Sequence, residues 1–160
     1  MYAVGLNNYA GPEVLHLMEL PDPHPEPGHV RVRVRSAGIN PVDVMVRDGS
    51  LAEFIAGLQP PFVPGMDISG TIDEVGEEHD PEFGLAVGQK VVAVVNNRGS
   101  YGGYSQQACA GRLFLLSVTA ARSSSCALGR TTASNAASHR ELAKGDQRGR
   151  IILNFDGLEE

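Results

Sequence analysis

The chain has 160 residues, a length that fits one domain with an ordinary hydrophobic core. Its formal net charge of −6 gives no electrostatic reason to expect nucleic acid as a partner, and no apolar run approaches the ~20 residues that span a bilayer. Two cysteines, Cys109 and Cys126, are too few for a disulfide framework or a structural zinc site. With no signal peptide visible, we expect a cytoplasmic globular domain without a membrane partner.

The first part of the chain predicts short strands. Strands are expected over Tyr2–Leu6 and Val14–Glu19, and the four prolines of residues 20–28 indicate an irregular connector. Residues His29–Ser36 alternate strictly between valine and a polar residue. This alternation predicts a strand with its valines on one buried face.

The periodicity changes after this strand. Residues Asn40–Asp48 favour a short helix, in which Pro41 suits the first turn and Asn40 the cap position. A second short helix is predicted over Leu51–Leu58. Further strands are then predicted at Ile68–Val75, Lys90–Val95 and Tyr104–Ala108.

The texture changes again after Ala110. An apolar run at Leu113–Val118 is followed by a stretch rich in alanine, serine and threonine that has no clear period. A helix is predicted at His139–Lys144 and a terminal strand at Gly149–Phe155. We therefore divide the chain into a domain at 1–116, an irregular linker or deletion junction at 117–136, and a helix and strand at 137–160 that return to the domain.

Three motifs carry a resemblance to a known family. They are Gly11-Pro12-Glu13-Val14-Leu15, Asn40-Pro41-Val42-Asp43 with Arg47 and Gly49, and Pro64-Gly65-Met66-Asp67 with Gly70. In this order and spacing they resemble the GroES-like catalytic domain of the medium-chain dehydrogenase/reductase superfamily, in its zinc-independent quinone oxidoreductase branch. The resemblance implies a mainly β fold with short helices, a partly open GroES-like β-barrel.

Such enzymes also carry a nucleotide-binding domain for NADPH, and its sequence signals are not found here. Fewer residues than one βαβ unit of about 30 lie between Ala110 and His139, and no G-x-G-x-x-G occurs. We expect no complete Rossmann domain. NADPH is thus the cofactor by resemblance alone, and the chain is expected to be inactive as a reductase by itself.

A zinc ion is not expected. The resemblance implies that zinc-dependent relatives hold the catalytic metal with a cysteine, a histidine and a glutamate at the positions of Asn40, Met66 and Asp67. An amide and a thioether are poor zinc ligands, and the five histidines show no ligand spacing.

The resemblance implies a catalytic and cofactor-binding role for Asn40, near the nicotinamide and the substrate; a helix cap is an equally good use of this residue. Asp43 and Arg47 are further catalytic candidates, although their spacing also suits an i,i+4 pair on a helix. Met45 is predicted to contact the cofactor, at a position where this branch often has a tyrosine.

The expected substrate is a small apolar molecule such as a quinone or an enone. Its predicted contacts are Phe62, Met66, Tyr101 and Tyr104. Packing within the barrel explains Phe62 and Met66 equally well, and Tyr104 is also suited to the core.

Three functions remain open from the sequence. The first is the substrate-side domain of an NADPH:quinone oxidoreductase-like enzyme. The second is a non-redox protein that uses the same pocket to bind a small molecule or to act as a cofactor-independent cyclase, isomerase or dehydratase. The third is an interaction module that self-associates through exposed apolar surface, including Leu113–Leu116.

Overall fold

The computed structural model describes residues 1–77, 84–96, 101–111, 115–117 and 151–154, the last two ranges by their backbone alone. The described part is mostly strands. The elements are β1 (Tyr2–Gly5), a 3₁₀ turn (Pro12–Val14), β2 (His16–Glu19), β3 (His29–Ile39), α1 (Pro41–Asp48), β4 (Asp67–Val75), β5 (Lys90–Val94), β6 (Gln107–Gly111), β7 (Leu115–Ser117) and β8 (Ile151–Asn154).

The strands form two antiparallel sheets. β1 and β2 make a two-stranded sheet, and a larger sheet has the order β6-β3-β4-β5-β7, with β8 also paired to β3. One edge of β3 carries β4, and its other edge carries β6 and then β8. In the described part of the chain the sheets do not close into a barrel, so the predicted mainly β, partly open fold is confirmed.

The alternating sequence of β3 supplies the centre of the core. Val30, Val32 and Val34 are buried, while Arg33 and Arg35 on the other face are exposed. Full burial of a valine side chain stabilises a fold by about 2 kcal/mol. The remaining core side chains come mainly from β4, β5 and β6 and include Ile68, Ile72, Val91, Ala93, Ala108 and Ala110.

The predicted helix after β3 is confirmed. Asn40 has the extended backbone of an N-cap residue, and Pro41 is the first helical residue. Gly49 ends the helix in the left-handed conformation at φ +86°, which glycine adopts without the steric cost of a Cβ.

The predicted helix over Leu51–Leu58 is wrong. This segment forms successive turns, in which the N–H groups of Ala52, Ala56 and Leu58 bond three residues back. Gly57, at φ +96°, prevents a continuous helix at the end of the segment. A stretch this short has little helical stability of its own, so tertiary contacts decide its conformation.

The largest differences between the predicted and the observed strands concern β3 and β6. β3 continues three residues beyond Ser36, because Ser36–Ile39 pairs with β8. The strand predicted at Tyr104–Ala108 begins only at Gln107, because Tyr104 bonds elsewhere: its N–H donates to the Pro64 carbonyl and its carbonyl accepts from Val4.

The division of the chain into three parts remains a prediction. β8 lies within the predicted terminal strand and pairs with β3, as a returning end would. β7 lies within the predicted apolar run. The predicted helix at 139–144 and almost all of the predicted linker fall outside the described residues.

Gly70→Ala tests the central ladder. Gly70 on β4 faces Val34 on β3, and a Cβ there would collide with the backbone carbonyl of Arg33. Because backbone cannot move aside cheaply, we expect a loss of about 3 kcal/mol in the free energy of unfolding, measured by urea denaturation. Ser69→Ala, one residue before it on the same strand, should change stability by less than about 0.5 kcal/mol. Equal effects of the two substitutions would contradict the observed register.

Candidate functional site

A buried carboxylate lies at the start of α1. The side chain of Asp43 has no solvent exposure, and it accepts three hydrogen bonds. Oδ1 accepts from the Gly65 N–H at 2.9 Å, while Oδ2 accepts from the Asn40 N–H at 2.7 Å and from the Tyr104 hydroxyl at 3.2 Å. Asp43 thus joins the helix N-terminus, the loop before β4 and the segment before β6.

Burial dominates the acidity of this group. It raises the pKa of Asp43 to about 6, because the charged form loses its hydration, and the nearby charge of Asp67 acts in the same direction. The three hydrogen bonds favour the carboxylate and partly offset this rise. Burial and the charge of Asp43 also raise the pKa of Tyr104 well above its ordinary value, so the phenol stays protonated and donates.

The loop that donates to Asp43 is bonded closely to the segment at Tyr104. The Tyr104 N–H donates to the Pro64 carbonyl at 3.0 Å, and the Gly103 N–H donates to the Gly65 carbonyl at 2.9 Å. Gly65 itself requires glycine, since φ is +95° and a Cβ would lie 2.5 Å from Cδ1 of Tyr104. The position of the loop is therefore tightly defined.

Asn40 and Asp67 meet at the end of the β3–β4 ladder. β3 ends at Ile39 and β4 begins at Asp67, and the Asn40 Nδ2 donates to the Asp67 Oδ2 at 3.0 Å. Gly38 on β3 makes room for this contact, because a Cβ there would lie 3.3 Å from the Cβ of Asp67. Both side chains are half-buried, and the Asn40 amide retains a second N–H hydrogen.

The Asn40–Asp67 contact occupies the positions at which the resemblance places zinc ligands in other relatives. Here an amide donates to a carboxylate instead. Among the residues that the structure describes, no group of three histidine, cysteine, aspartate or glutamate side chains could hold a metal ion.

The two other helical candidates differ in burial. Arg47 is buried at the far end of α1, where its carbonyl accepts from the Ala10 N–H. The hydrogen bonds that Asp43 accepts come from Asn40, Gly65 and Tyr104. The catalytic roles of Asp43 and Arg47, and the i,i+4 pair that their spacing allows, stay predictions. Met45 is 40% exposed, and its cofactor contact stays a prediction.

The predicted substrate contacts differ in burial. Tyr104 is fully buried with its hydroxyl on Asp43, whereas Met66 and Tyr101 are half-buried, with Tyr101 packed against the core. Phe62 stacks on Tyr9, with ring centroids 5.3 Å apart and planes 15° from parallel. Tyr9 is a neighbour that sequence reasoning missed, since nothing in its local pattern indicates Phe62, more than 50 positions away.

The fold agrees with the comparisons to known proteins. Residues 26–124 match the family of alcohol dehydrogenase GroES-like domains. The chain belongs to this family, within the medium-chain dehydrogenase/reductase superfamily, and its relatives place it in the quinone oxidoreductase branch.

Three relatives illustrate the similarity. The chain is 32% identical over 109 residues to the human synaptic vesicle membrane protein VAT-1 homolog-like (68% of this chain, 24% of that protein), whose crystal structure matches with a TM-score of 0.65, covering 74% of this chain and 35% of that one. It is 32% identical over 108 residues to the pig quinone oxidoreductase, which is 66% of this chain and 30% of that protein. A mycobacterial protein solved in complex with NADPH matches with a TM-score of 0.64 at 26% identity (74% and 34%).

The chain thus spans about a quarter to a third of the length of these relatives. Within the described residues, no helix has the length and apolar character needed to cross a membrane.

Asp43→Asn tests the burial of the carboxylate through pH. The pKa of Asp43 is raised above its unfolded value of 3.8 to about 6, so ionisation is less favourable in the folded chain. The stability of the wild type relative to this variant should fall by up to about 3 kcal/mol as the pH rises from about 4 to about 6, and then stay constant. Urea denaturation across this range measures the difference.

Asp48→Asn on the same helix is the matched control. Hydrogen bonds from Ser50 lower the pKa of the exposed Asp48, so the wild-type advantage over this variant should increase with pH. A pH-independent difference between the wild type and Asp43→Asn would contradict a buried ionisable carboxylate.

Proposed function

We propose that this chain is the substrate-side domain of an NADPH:quinone oxidoreductase-like protein, in which the side-chain amide of Asn40 binds a carbonyl oxygen of a quinone or enone. The observation that carries the proposal is the position of Asn40. Its backbone is fixed by the Asp43 carboxylate, and its amide, held by Asp67, has a hydrogen left to donate.

This arrangement suits the reduction of a conjugated carbonyl. When a hydride adds to a quinone or an enone, negative charge develops on the carbonyl oxygen. A fixed amide donor stabilises that charge without a metal ion, and a half-buried position strengthens the interaction. The acceptor's flat apolar ring would lie against the neighbouring side chains predicted above, Met66 and Tyr101.

The described residues fit only part of NADPH. Asn40 and the exposed Met45 could contact the nicotinamide end, where bound NADPH supplies the hydride. The pyrophosphate lacks a comparable cradle in the described ranges: α1 is eight residues long, and its first turn already holds the Asp43 carboxylate, which would repel an anion.

The binding of duroquinone tests the role of Asn40. This quinone carries four methyl groups and does not arylate thiols. We expect it to bind the chain saturably, with NMR shift changes at Asn40 and Met66. Asn40→Leu keeps the branched shape of the side chain but removes the donor, so the dissociation constant should rise about tenfold. Asn8→Leu, at an exposed position, is the control and should bind as the wild type does. Equal affinity in all three proteins would refute the proposed contact.

A second measurement concerns turnover. Because no described residues hold the pyrophosphate, the 160-residue chain should consume NADPH in the presence of duroquinone no faster than a protein-free control, as followed by nicotinamide absorbance. Saturable consumption of NADPH by the chain would show that other residues complete the cofactor site.

The exposed face of β5 favours a second candidate, an interaction module. Val92 and Val94 are exposed on this strand, and Val92 lies in register with Leu116 of β7. Self-association through this face should appear as concentration-dependent sedimentation that Val92→Thr weakens. A monomer at every concentration would exclude it.

A further inference from the structure

We propose that Tyr104 and Asp43 are positioning residues, which set the Asn40 amide for its acceptor without touching the acceptor. This inference rests on the proposed function, and it reassigns two residues that the sequence indicated as a substrate contact and a catalytic group.

The Asp43 carboxylate and the Tyr104 phenol are both inaccessible to a ligand. Asp43 and Tyr104 have no exposed surface, so neither reaches a ligand in the folded chain. The Tyr104 backbone is fixed on both sides, by the Pro64 carbonyl and the Val4 N–H, and its ring packs on the bare Cα of Gly65. Its hydroxyl is therefore directed at Asp43 and away from solvent.

Tyr104 and Asn40 share one acceptor atom. The Tyr104 hydroxyl and the Asn40 N–H both donate to Oδ2 of Asp43, at 3.2 and 2.7 Å. Removing the phenol changes the hydrogen bonding of the same oxygen that fixes the Asn40 backbone. The other oxygen holds Gly65, two residues before Asp67. The Asp43 carboxylate thus holds the backbone on both sides of the Asn40–Asp67 contact.

Charged and polar groups surround Asp43. Asp67 from β4 and the Tyr104 phenol from the segment before β6 face it, and Arg47 lies one turn further along its own helix. The Tyr104 hydrogen bond favours the ionised carboxylate, so its loss raises the pKa of Asp43 further. The protonated form has one acceptor oxygen fewer for its three donors.

Tyr104→Phe separates positioning from simple stabilisation. The substitution keeps the buried ring and removes only the hydroxyl. Ser105→Ala is the matched control, because Ser105 is equally buried and does not contact Asp43. Its hydroxyl lies 2.7 Å from the Gly102 and the Gln107 carbonyl oxygens and shares its one hydrogen between them. Two readouts are followed in the full chain: the pH titration of the Asn40 side-chain amide and the Gly65 amide by ¹⁵N NMR, and the dissociation constant of duroquinone.

We expect both variants to lose stability to a similar degree, and only Tyr104→Phe to move the readouts. Its titration midpoint should shift to higher pH, and its duroquinone affinity at neutral pH should fall about three- to tenfold. Unchanged readouts in Tyr104→Phe, or equal changes in the two variants, would overturn the proposal. If the wild type binds no duroquinone, the proposed function fails, and the titration of the Asn40 amide alone decides the positioning role.

A second experiment covers the case in which Tyr104→Phe does not fold. Replacing tyrosine by 3-fluorotyrosine throughout the chain makes the phenol a stronger donor. The titration midpoint of the Asn40 side-chain amide and of the Gly65 amide should then shift to lower pH. A midpoint that stays in place would overturn the proposal.

Discussion

The structure around the site depends on one buried carboxylate. An unpaired charge in a protein interior is strongly unfavourable, so a group such as Asp43 is stable only where donors surround it. The three donors are Asn40, three residues before Asp43, and Gly65 and Tyr104, which follow Asp43 by 22 and 61 residues. Each donor is in turn held by its own backbone contacts. The carboxylate therefore works as a common anchor for three segments that are distant in sequence.

The sheet brings these segments together. β3 ends immediately before Asn40. The antiparallel pairing of Ala37 with Ile68 places the start of β4 beside Asn40. The helix α1 follows without a connecting loop, so its first turn lies over the same end of the ladder. At this corner the Asn40 amide donates to the Asp67 carboxylate, within a domain of the GroES-like family.

Local patterns predicted the local structure well. The valine alternation of β3 and the Asn40-Pro41 start of α1 depend on neighbours in sequence, and both are confirmed. The segment after Gly49 was predicted as a helix and forms turns, because a stretch of that length takes its conformation from its surroundings.

Long-range contacts could not be predicted in the same way. The spacing of Asp43 and Arg47 indicated a pair on one helix, but it gave no sign that Asp43 also accepts hydrogen bonds from Gly65 and Tyr104 on other segments. The stacking of Phe62 on Tyr9 likewise joins two loops that no period connects. Such contacts follow from the tertiary fold, which brings together residues that are distant in sequence.

Native-state hydrogen exchange at the backbone amides of Asn40 and Gly65 tests most directly whether Asp43 anchors these segments. If the Asp43 carboxylate anchors the three segments, both amides should exchange only through global unfolding, with the same free energy as the Val32 amide in the β3–β4 ladder. Exchange of either amide through a local opening of much lower free energy would contradict the anchor.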